Sequence, residues 1–342
     1  MTTFSIALAT YNGATFLREQ LDSLARQTRL PDELVVSDDG STDGTLEIVQ
    51  DFASNAPFEV IVLPSEGRLG YKKNFMRCAA RCAGDLIAFC DQDDVWDRDK
   101  LAVISGSIEP DALLLQHDFR VADSTLSPLP GSMDTTGLSL GGPWAPILGL
   151  VQVFRRSLLA TWPLWQSSID HNHPSEPMAH DQWVYFAAEA LGKVQLLRRP
   201  LLTYRQHGRN TCGFSGNRVA DHDLRPRRIL ADLMIGRSDT RVLKKQLIAR
   251  NLEGITAASE RRLAAVSAMS DDPTWADHRM TLTRSRKAYE DLHTYYGYRL
   301  TNYEGAPRSK ILTSVVSNGR HYLSQRSRGI KDLVLDVVLN VA

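Results

Sequence analysis

The chain has 342 residues, of which 43% are hydrophobic and 23% charged, as expected for an ordinary globular protein. Its 40 basic and 40 acidic residues cancel, which argues against a general nucleic-acid binder. The four cysteines include no CxxC pair, so neither a zinc site nor a disulfide framework is predicted. The length allows one large domain with an appendage, or two domains.

The amino terminus lacks the basic start and the long apolar run of a signal peptide. No uninterrupted apolar stretch approaches the roughly 20 residues that a membrane span needs. We therefore expect a cytoplasmic chain.

Strand and helix patterns alternate through the first 100 residues. Apolar runs predict strands at residues 4–9, 34–37, 60–63 and 86–90, and apolar residues at helical spacing predict a helix after each of the first three. This rhythm implies right-handed crossovers and a mostly parallel, Rossmann-like α/β sheet with helices on both faces.

The rhythm is less regular beyond residue 100. A Gly- and Pro-rich segment at 129–146 predicts a long surface loop, which in a compact domain is usually functional. A helix is predicted at 181–191, and short strands are predicted at 112–115, 151–154, 194–197 and 201–204.

After about residue 221 the sequence is rich in charged residues, and its pattern predicts helices. We predict a first domain at 1–215, with halves at 1–100 and 101–215. A C-terminal helical region would follow at 216–342.

A cluster of carboxylates directly follows the fourth predicted strand. Asp91, Asp93 and Asp94 stand where that strand should leave the sheet, and open α/β sheets bind ligands beyond the carboxyl ends of their strands. Because side chains alternate along an extended chain, Asp91 and Asp93 would point the same way and could share one hard cation. The alternative is a solvated acidic turn that caps the next helix.

Polar residues also end the first two strands at the same predicted edge. Thr10, Tyr11 and Asn12 follow the first strand, and Asp38 and Asp39 follow the second. A tyrosine ring there could stack on a nucleobase. Turn and helix-cap chemistry is the alternative for the two aspartates.

Taken in order, these motifs resemble the family 2 glycosyltransferases, which have the GT-A fold. The resemblance covers roughly residues 4–210. It implies that 1–215 is a catalytic domain whose half at 1–100 binds the nucleotide sugar and whose half at 101–215 binds the acceptor. It rests on Ala9-Thr10-Tyr11-Asn12, on Asp38-Asp39-Gly40-Ser41-Thr42-Asp43, on Asp91-Gln92-Asp93-Asp94-Val95-Trp96, on His180-Asp181-Gln182-Trp183 and on His207. The third of these strings is most similar to bacterial rhamnosyltransferases of surface-polysaccharide pathways.

The resemblance implies an inverting sugar transfer with Asp181 as the base. Such a base takes the proton of the acceptor hydroxyl while that oxygen attacks the anomeric carbon. The family places it in an acidic dipeptide, where this chain has His180-Asp181 in place of the commoner Glu-Asp. A plain aspartate at a helix amino terminus is the alternative.

The resemblance also implies a divalent cation, Mn²⁺ or Mg²⁺, bridging the donor diphosphate. Asp93 and His207 would be its ligands, with Asp94 as an alternative to Asp93. Asp91 would face the ribose or the metal. Asp38 would accept a hydrogen bond from N3-H of uracil or thymine, with Asp39 near the ribose. Further donor contacts are expected from Thr10, Tyr11, Asn12, Gln92 and one of Arg205 and Arg209.

Two tryptophans are candidates for stacking on an acceptor sugar. Trp144 lies in the Gly-rich segment, and Trp183 follows the expected base by two residues. The acceptor would be a glycan or a lipid-linked oligosaccharide. Basic residues alternate with apolar ones over 308–331, which predicts either peripheral contact with the inner membrane surface or a helix packed on the catalytic domain.

The expected donor is dTDP-rhamnose, and a UDP-sugar carrying glucose, galactose or GlcNAc is the alternative. A nucleotidyltransferase would normally open with a Gly-rich, basic phosphate loop, and residues 4–12 contain none. A silent carbohydrate-binding protein would keep the fold without the catalytic residues, whereas here each expected position holds a competent side chain.

Overall fold

The computed structural model describes residues 2–129, 148–208, 210 and 238–303. The chain divides into two compact units, one made of residues 1–163 and 179–216 and the other of 164–178 and 217–342. The predicted boundary at 215 lies near the end of the first unit. Nothing in the sequence pattern indicates that 164–178 groups with the second.

An eight-stranded sheet forms the centre of the first unit. Its spatial order is β3-β2-β1-β4-β7-β6-β8-β5. In chain order the strands are β1 Phe4–Thr10, β2 Glu33–Asp38, β3 Glu59–Val62, β4 Leu86–Cys90, β5 Val95–Trp96, β6 Ala112–Ala122, β7 Gln152–Arg155 and β8 Lys193–Arg205.

The first four strands are parallel, as the alternating pattern predicted. β1 pairs with β2 and β4, and β2 pairs with β3. Thr10 lies opposite Asp38, and Leu8 lies opposite Cys90. The segments that follow β1, β2 and β4 therefore leave the sheet at one edge, where the polar motifs were expected to meet.

The other half of the sheet is mixed. β7 is antiparallel to both β4 and β6, β8 is parallel to β6, and β5 is antiparallel to β8. The two short strands predicted at 194–197 and 201–204 are one strand, because pairing with β6 continues from Lys193 to Arg205 across a register shift near Asp118 and Pro200. A shift of this kind lets the ladder pass a proline, which has no N-H to donate.

Helices connect and cover these strands. They are α1 Leu17–Ala25, α2 Thr45–Ala53, α3 Tyr71–Ala80, α4 Lys100–Ser107, the short α5 Trp162–Trp165 and α6 His180–Leu191. The spacing that predicted α1 is confirmed, because Leu17, Leu21 and Leu24 are all buried. They join a core built around Ile6 and Leu8 of β1.

Two long helices dominate the described part of the second unit. α7 runs over Ser238–Asp271 and α8 over Arg279–Tyr303, and a 3₁₀ turn at Pro273–His278 joins them. Asp272 caps this turn, since its side chain accepts a hydrogen bond from the Thr274 amide at 2.8 Å. Across residues 2–129, 148–208, 210 and 238–303, no helix combines the length and apolarity needed to cross a bilayer.

Several expectations fall on residues outside the described ranges. They are the segment around Trp144, Arg209 and the basic stretch at 308–331.

Candidate functional site

A cavity of about 360 Å³ opens at the edge where β1, β2 and β4 end. Tyr11, Asp39, Asp91, Asp93 and Asp181 all line it, as do Thr10 and Gln92. Residues from distant parts of the chain, predicted separately as donor, metal and base residues, thus meet at one place. This is the arrangement expected for an α/β sheet whose ligand site lies beyond the carboxyl ends of its strands.

One end of this cavity is formed by an aromatic ring, a guanidinium and a carboxylate. The Arg68 guanidinium lies 4.1 Å from the centre of the Tyr11 ring and donates to its hydroxyl at 2.6 Å. Asp39 accepts hydrogen bonds from the backbone N-H groups of Leu69 and Gly70. A flat ring beside a partly engaged carboxylate can hold a nucleobase by stacking and by a hydrogen bond to its edge.

Asp38 points into the protein. It is only 3% exposed, and its Oδ1 accepts from the Gly40 and Ser41 amides at 3.1 and 2.7 Å. Its Oδ2 accepts from the hydroxyls of Thr10 and Ser41 at 2.7 and 2.6 Å. These four bonds use the acceptor capacity of the carboxylate, so Asp38 shapes the turn after β2 and joins it to the end of β1.

A side-chain clamp fixes the backbone after β1. Gln92 Oε1 accepts from the Tyr11 amide at 2.8 Å, and its Nε2 donates to the Tyr11 carbonyl at 3.0 Å. Gly13 packs so closely that a Cβ atom there would lie 2.1 Å from Gln92 Oε1. Asn12, at φ 47°, accepts from the Thr42 amide at 2.8 Å. Gln92 and Asn12 therefore hold the loop that carries Tyr11.

Asp93 and His207 are brought together, as the resemblance implied. His207 Nε2 lies 2.8 Å from Asp93 Oδ2, and the Asn210 side chain approaches the same oxygen at 3.4 Å. Asp93 also lines a second cavity of about 490 Å³, which His207 and Asn12 share.

The donor set at this point fits a cation that takes most of its ligands from a substrate. Within the described ranges, no group of three His, Cys, Asp or Glu side chains forms a metal site made of protein alone. Mg²⁺ commonly binds through one or two carboxylates and completes its shell with phosphate oxygens and water. Mn²⁺ also accepts an imidazole ligand, so Asp93 with His207 suits such a site.

Crowded, buried carboxyl groups at this edge disfavour one another's ionisation. Burial, and then the charges of Asp93 and Asp181, raise the pKa of Asp91 to about 8. Burial, followed by the charges of Asp93 and Asp91, raises the pKa of Asp94 well above its ordinary value. A bound cation would relieve this repulsion, which supports the same fit.

Asp94 and Arg205 belong to the interior behind the carboxylate loop. Asp94 is 0% exposed, and its Oδ1 accepts from the Arg205 amide at 3.1 Å. The Arg205 side chain is 3% exposed. It donates to the carbonyls of Asp93 and Ser124 at 2.9 and 2.8 Å and pairs with Glu19. Arg205 thus braces the loop from behind, and it lines neither cavity.

Asp181 starts α6 and reaches the first cavity. Its Oδ2 accepts from the Gly149 amide at 3.1 Å. Burial raises the pKa of Asp181 to about 6, while its backbone hydrogen bonds with Gln182 and Gly149 act in the opposite direction. A carboxylate with such a pKa is ionised at neutral pH and is a stronger base than an exposed aspartate.

His180 lies against aromatic side chains beside this carboxylate. Its ring stacks on Phe75, with centroids 4.0 Å apart, and meets the ring of Phe89 edge-on at 4.7 Å. Burial, and then the charge of Lys72, lower the pKa of His180 to about 3. The imidazole is therefore neutral at physiological pH. Together with Tyr71, Phe75, Leu148 and Leu150 it gives the cavity an apolar wall.

Trp183 corrects one expectation. Its ring is 1% exposed and its Nε1 donates to the Thr161 hydroxyl at 3.1 Å. A ring buried in this way cannot stack on a sugar. The same helical periodicity that brings Asp181 to the cavity turns Trp183 into the core.

Arg68, Tyr71 and Phe75 line the cavity but were missed by sequence reasoning. They lie in and just after the loop between β3 and α3, which carries no recognised motif. The available signal was positional, since this loop follows a parallel strand and leads into a helix at the ligand edge of the sheet.

Comparisons with known proteins agree with this geometry. The profile of the family described as "Glycosyl transferase family 2" matches residues 5–134. An uncharacterized glycosyltransferase of Nostoc sp. is 28% identical over 60% of this chain and 65% of its own length. The dTDP-rhamnosyl transferase RfbG of Shigella flexneri is 28% identical over 60% of this chain and 73% of its own. The chain thus spans slightly less than two thirds of the first relative.

A solved structure supports the fold. TarS residues 1–349 from S. aureus, crystallised with UDP, superimposes with a TM-score of 0.50 at 20% identity, covering 86% of this chain and 91% of that one. The mixed sheet and its flanking helices are those of the GT-A fold predicted from the sequence. The profile match thus relates residues 5–134 to glycosyl transferase family 2, and the two relatives extend this likeness to about 60% of the chain.

Proposed function

We propose that this chain is an inverting, divalent-metal-dependent glycosyltransferase of polysaccharide biosynthesis. The observation that carries the proposal is the convergence of Asp39, Asp93 and Asp181 on one cavity. A nucleotide-sugar transfer needs a group that binds the nucleobase, a group that binds the diphosphate and its cation, and a proton acceptor. In this proposal Asp39, Asp93 and Asp181 supply them in that order.

The nucleotide lies at the Tyr11 and Arg68 end of the cavity in this proposal. Tyr11 stacks on the pyrimidine, and Asp39 accepts a hydrogen bond from the N3-H group of that ring. We assign this contact to Asp39 rather than to Asp38, because the Asp38 carboxylate is already used by four protein donors. Thr10 and Asn12 act through the loop geometry that they maintain.

The transfer itself needs one proton acceptor. Asp181 takes the proton of an acceptor hydroxyl, whose oxygen forms the new bond to the anomeric carbon. The bond from that carbon to the diphosphate breaks on the opposite face, and the diphosphate leaves with the electron pair. The sugar therefore changes its anomeric configuration.

Asp93 and His207 are the proposed ligands of Mn²⁺ or Mg²⁺. Such a cation, when bound, neutralises charge that develops on the leaving diphosphate. Asp91, whose pKa is raised by burial and then by its neighbours, completes the acidic side of the centre.

The proposed donor is dTDP-rhamnose. RfbG is named for dTDP-rhamnosyl transfer, and a 31% identical relative over 110 residues is named the abequosyltransferase RfbV of Salmonella typhimurium. Both sugars carry a methyl group where glucose carries a hydroxymethyl group. The apolar wall of Tyr71, Phe75 and the neutral His180 suits such a methyl group, because it offers few partners to a hydroxyl. A UDP-sugar is the alternative donor.

The proposed acceptor is a glycan or a lipid-linked oligosaccharide, reached by peripheral contact with the inner membrane surface. The alternating basic and apolar residues at 308–331 support this contact by their sequence pattern.

A donor panel tests the proposal. The full chain is incubated with dTDP-rhamnose and with UDP-glucose, UDP-galactose and UDP-GlcNAc, with and without Mn²⁺, in the presence of lipid-linked oligosaccharides. We expect the parent chain to release dTDP in a Mn²⁺-dependent way. The D181N variant should bind dTDP-rhamnose but release no dTDP. Release of UDP from a UDP-sugar, without release of dTDP from dTDP-rhamnose, would identify a UDP-sugar as the donor. No release with any sugar nucleotide would overturn the proposed function.

A further inference from the structure

A lysine lies fully buried beneath the carboxylate loop. Lys100 begins α4 and is 0% exposed. Its Nζ lies 3.6 Å from the centre of the Trp96 ring and donates to the Leu150 carbonyl at 3.3 Å. Lysine is almost never fully buried without a compensating interaction, so this position calls for an explanation beyond packing.

The first part of the explanation is charge. Asp94 is 0% exposed, and its Oδ2 has no hydrogen-bond partner among the residues that the structure describes. Lys100 brings a basic group into the same interior, where its Nζ lies over the ring of Trp96, two residues after Asp94. The buried amine thus contacts β5, the short strand that directly follows the carboxylate loop.

The second part is the Leu150 carbonyl. Leu150 belongs to the 3₁₀ turn Gly149–Val151, whose first amide, that of Gly149, donates to Asp181 Oδ2 at 3.1 Å. The ammonium therefore holds one side of a turn whose other side holds the proposed base. A continuous chain of contacts runs from Trp96 of β5 through Lys100 and this turn to Asp181.

We propose that Lys100 is a positioning residue that fixes the Gly149–Val151 turn, and with it Asp181, relative to β5, the strand that directly follows the loop carrying Asp93. In an inverting transfer the base and the diphosphate centre must stand on opposite sides of one carbon atom, so their spacing limits the rate. A group that contacts both elements can set this spacing without touching the substrate. The activity readout of this inference rests on the proposed function.

The test separates positioning from charge balance. Lys100→Met removes the amine but keeps the approximate length of the side chain, and it leaves the buried carboxyl group of Asp94 without this basic group. The double variant K100M/D94N removes that carboxylate charge as well, while the side-chain amide oxygen introduced by D94N can still accept from the Arg205 amide. The decisive comparison is therefore K100M/D94N against D94N alone, which remains valid if K100M by itself does not fold.

We expect K100M/D94N to melt within a few degrees of D94N, to keep the donor KM within about threefold, and to lose kcat by about 100-fold. Lys100→Arg, added to the D94N background, should recover part of kcat because a guanidinium can still donate to the Leu150 carbonyl. A kcat of K100M/D94N equal to that of D94N would overturn the inference and leave Lys100 as a counter-charge only.

A second readout does not depend on activity. Hydrogen exchange of the peptide that contains Gly149, Leu150 and Val151 should be about tenfold faster in K100M/D94N than in D94N, because the turn loses its anchor. Unchanged exchange there would also overturn the inference. Absence of turnover in the parent chain would instead contradict the proposed function, while the exchange comparison would still decide the role of Lys100.

Discussion

The carboxyl group of Asp181 ionises near neutral pH because its surroundings disfavour the charge. Burial is the main cause, and the backbone N-H groups of Gln182 and Gly149 only partly offset it. The raised pKa makes the ionised group a better proton acceptor than an exposed aspartate. The pH dependence of turnover should therefore report the ionisation of Asp181.

We predict an acid limb in the pH profile of donor turnover. With a pKa of about 6, Asp181 becomes protonated as the pH falls through 6, so kcat/KM should drop about tenfold per pH unit below that value. Initial rates of dTDP release between pH 4.5 and 8 measure it. A profile flat down to pH 4.5 would remove Asp181 from the role of base.

The same pKa predicts an effect on stability. A carboxyl group whose pKa is higher in the folded than in the unfolded chain favours folding when protonated, so its ionisation between pH 4 and 6 costs stability. Asp181→Asn removes that cost. The Tm of D181N should therefore exceed that of the parent at pH 7.5, and the two should agree more closely at pH 4.

His207 provides a test of the proposed metal site. Because its Nε2 lies 2.8 Å from Asp93, removal of the ring in H207A takes away one of the two proposed protein ligands. We expect the Mn²⁺ concentration for half-maximal turnover to rise roughly tenfold or more. The control is H173A, which alters an exposed histidine. Equal Mn²⁺ dependence in H207A and H173A would show that the imidazole is not a ligand.

At the scale of elements, the contact between Gly13 and Gln92 holds the loop after β1 to the loop after β4. A Cβ atom at Gly13 would displace the Gln92 side chain, which makes two hydrogen bonds to the Tyr11 backbone. We expect G13A to lower the free energy of unfolding by about 1–3 kcal/mol. Its affinity for dTDP should fall several-fold because Tyr11 is released.

G106A is the matched control for G13A. A Cβ atom at Gly106 meets nothing within 4 Å, and the residue lies in α4. Alanine should stabilise that helix by about 0.5–1 kcal/mol without changing dTDP affinity. Calorimetric titration of both variants with dTDP measures the difference. Identical affinities would mean that the Gln92 clamp does not shape the nucleotide site.

Much of the element order and the clustering of Asp91, Asp93 and Asp181 could be predicted from the sequence. Strands β1, β2 and β4 are short apolar runs buried along their whole length, so their local pattern is sufficient. The sequence pattern predicts two strands where the structure has β8, because Pro200 interrupts the local pattern. The pairing of β8 with β6 nevertheless spans the whole strand. Arg68 and Lys100 were missed because their roles depend on contacts with residues distant in the chain.

On the scale of the whole molecule, the chain leaves the first unit at residue 164 and returns at residue 179. The intervening segment packs on α7, where the His171 carbonyl oxygen would lie 2.2 Å from a Cβ atom at Gly254. No local pattern around residue 164 predicts this contact, because its partner lies far along the chain. Only a glycine in α7 allows the backbone to approach so closely.

Substitution of Gly254 should therefore test how the second unit is held together. In G254A the new methyl group meets a backbone carbonyl that cannot rotate away, so we expect segment 164–178 to shift and the Tm to fall by several degrees. G297A is its match in α8, since its Cβ atom would lie at an ordinary 3.8 Å from Thr256 Cγ2. That variant should be at least as stable as the parent, because alanine favours a helix by about 0.5–1 kcal/mol over glycine. Equal melting temperatures for the two variants would contradict a close contact between His171 and α7.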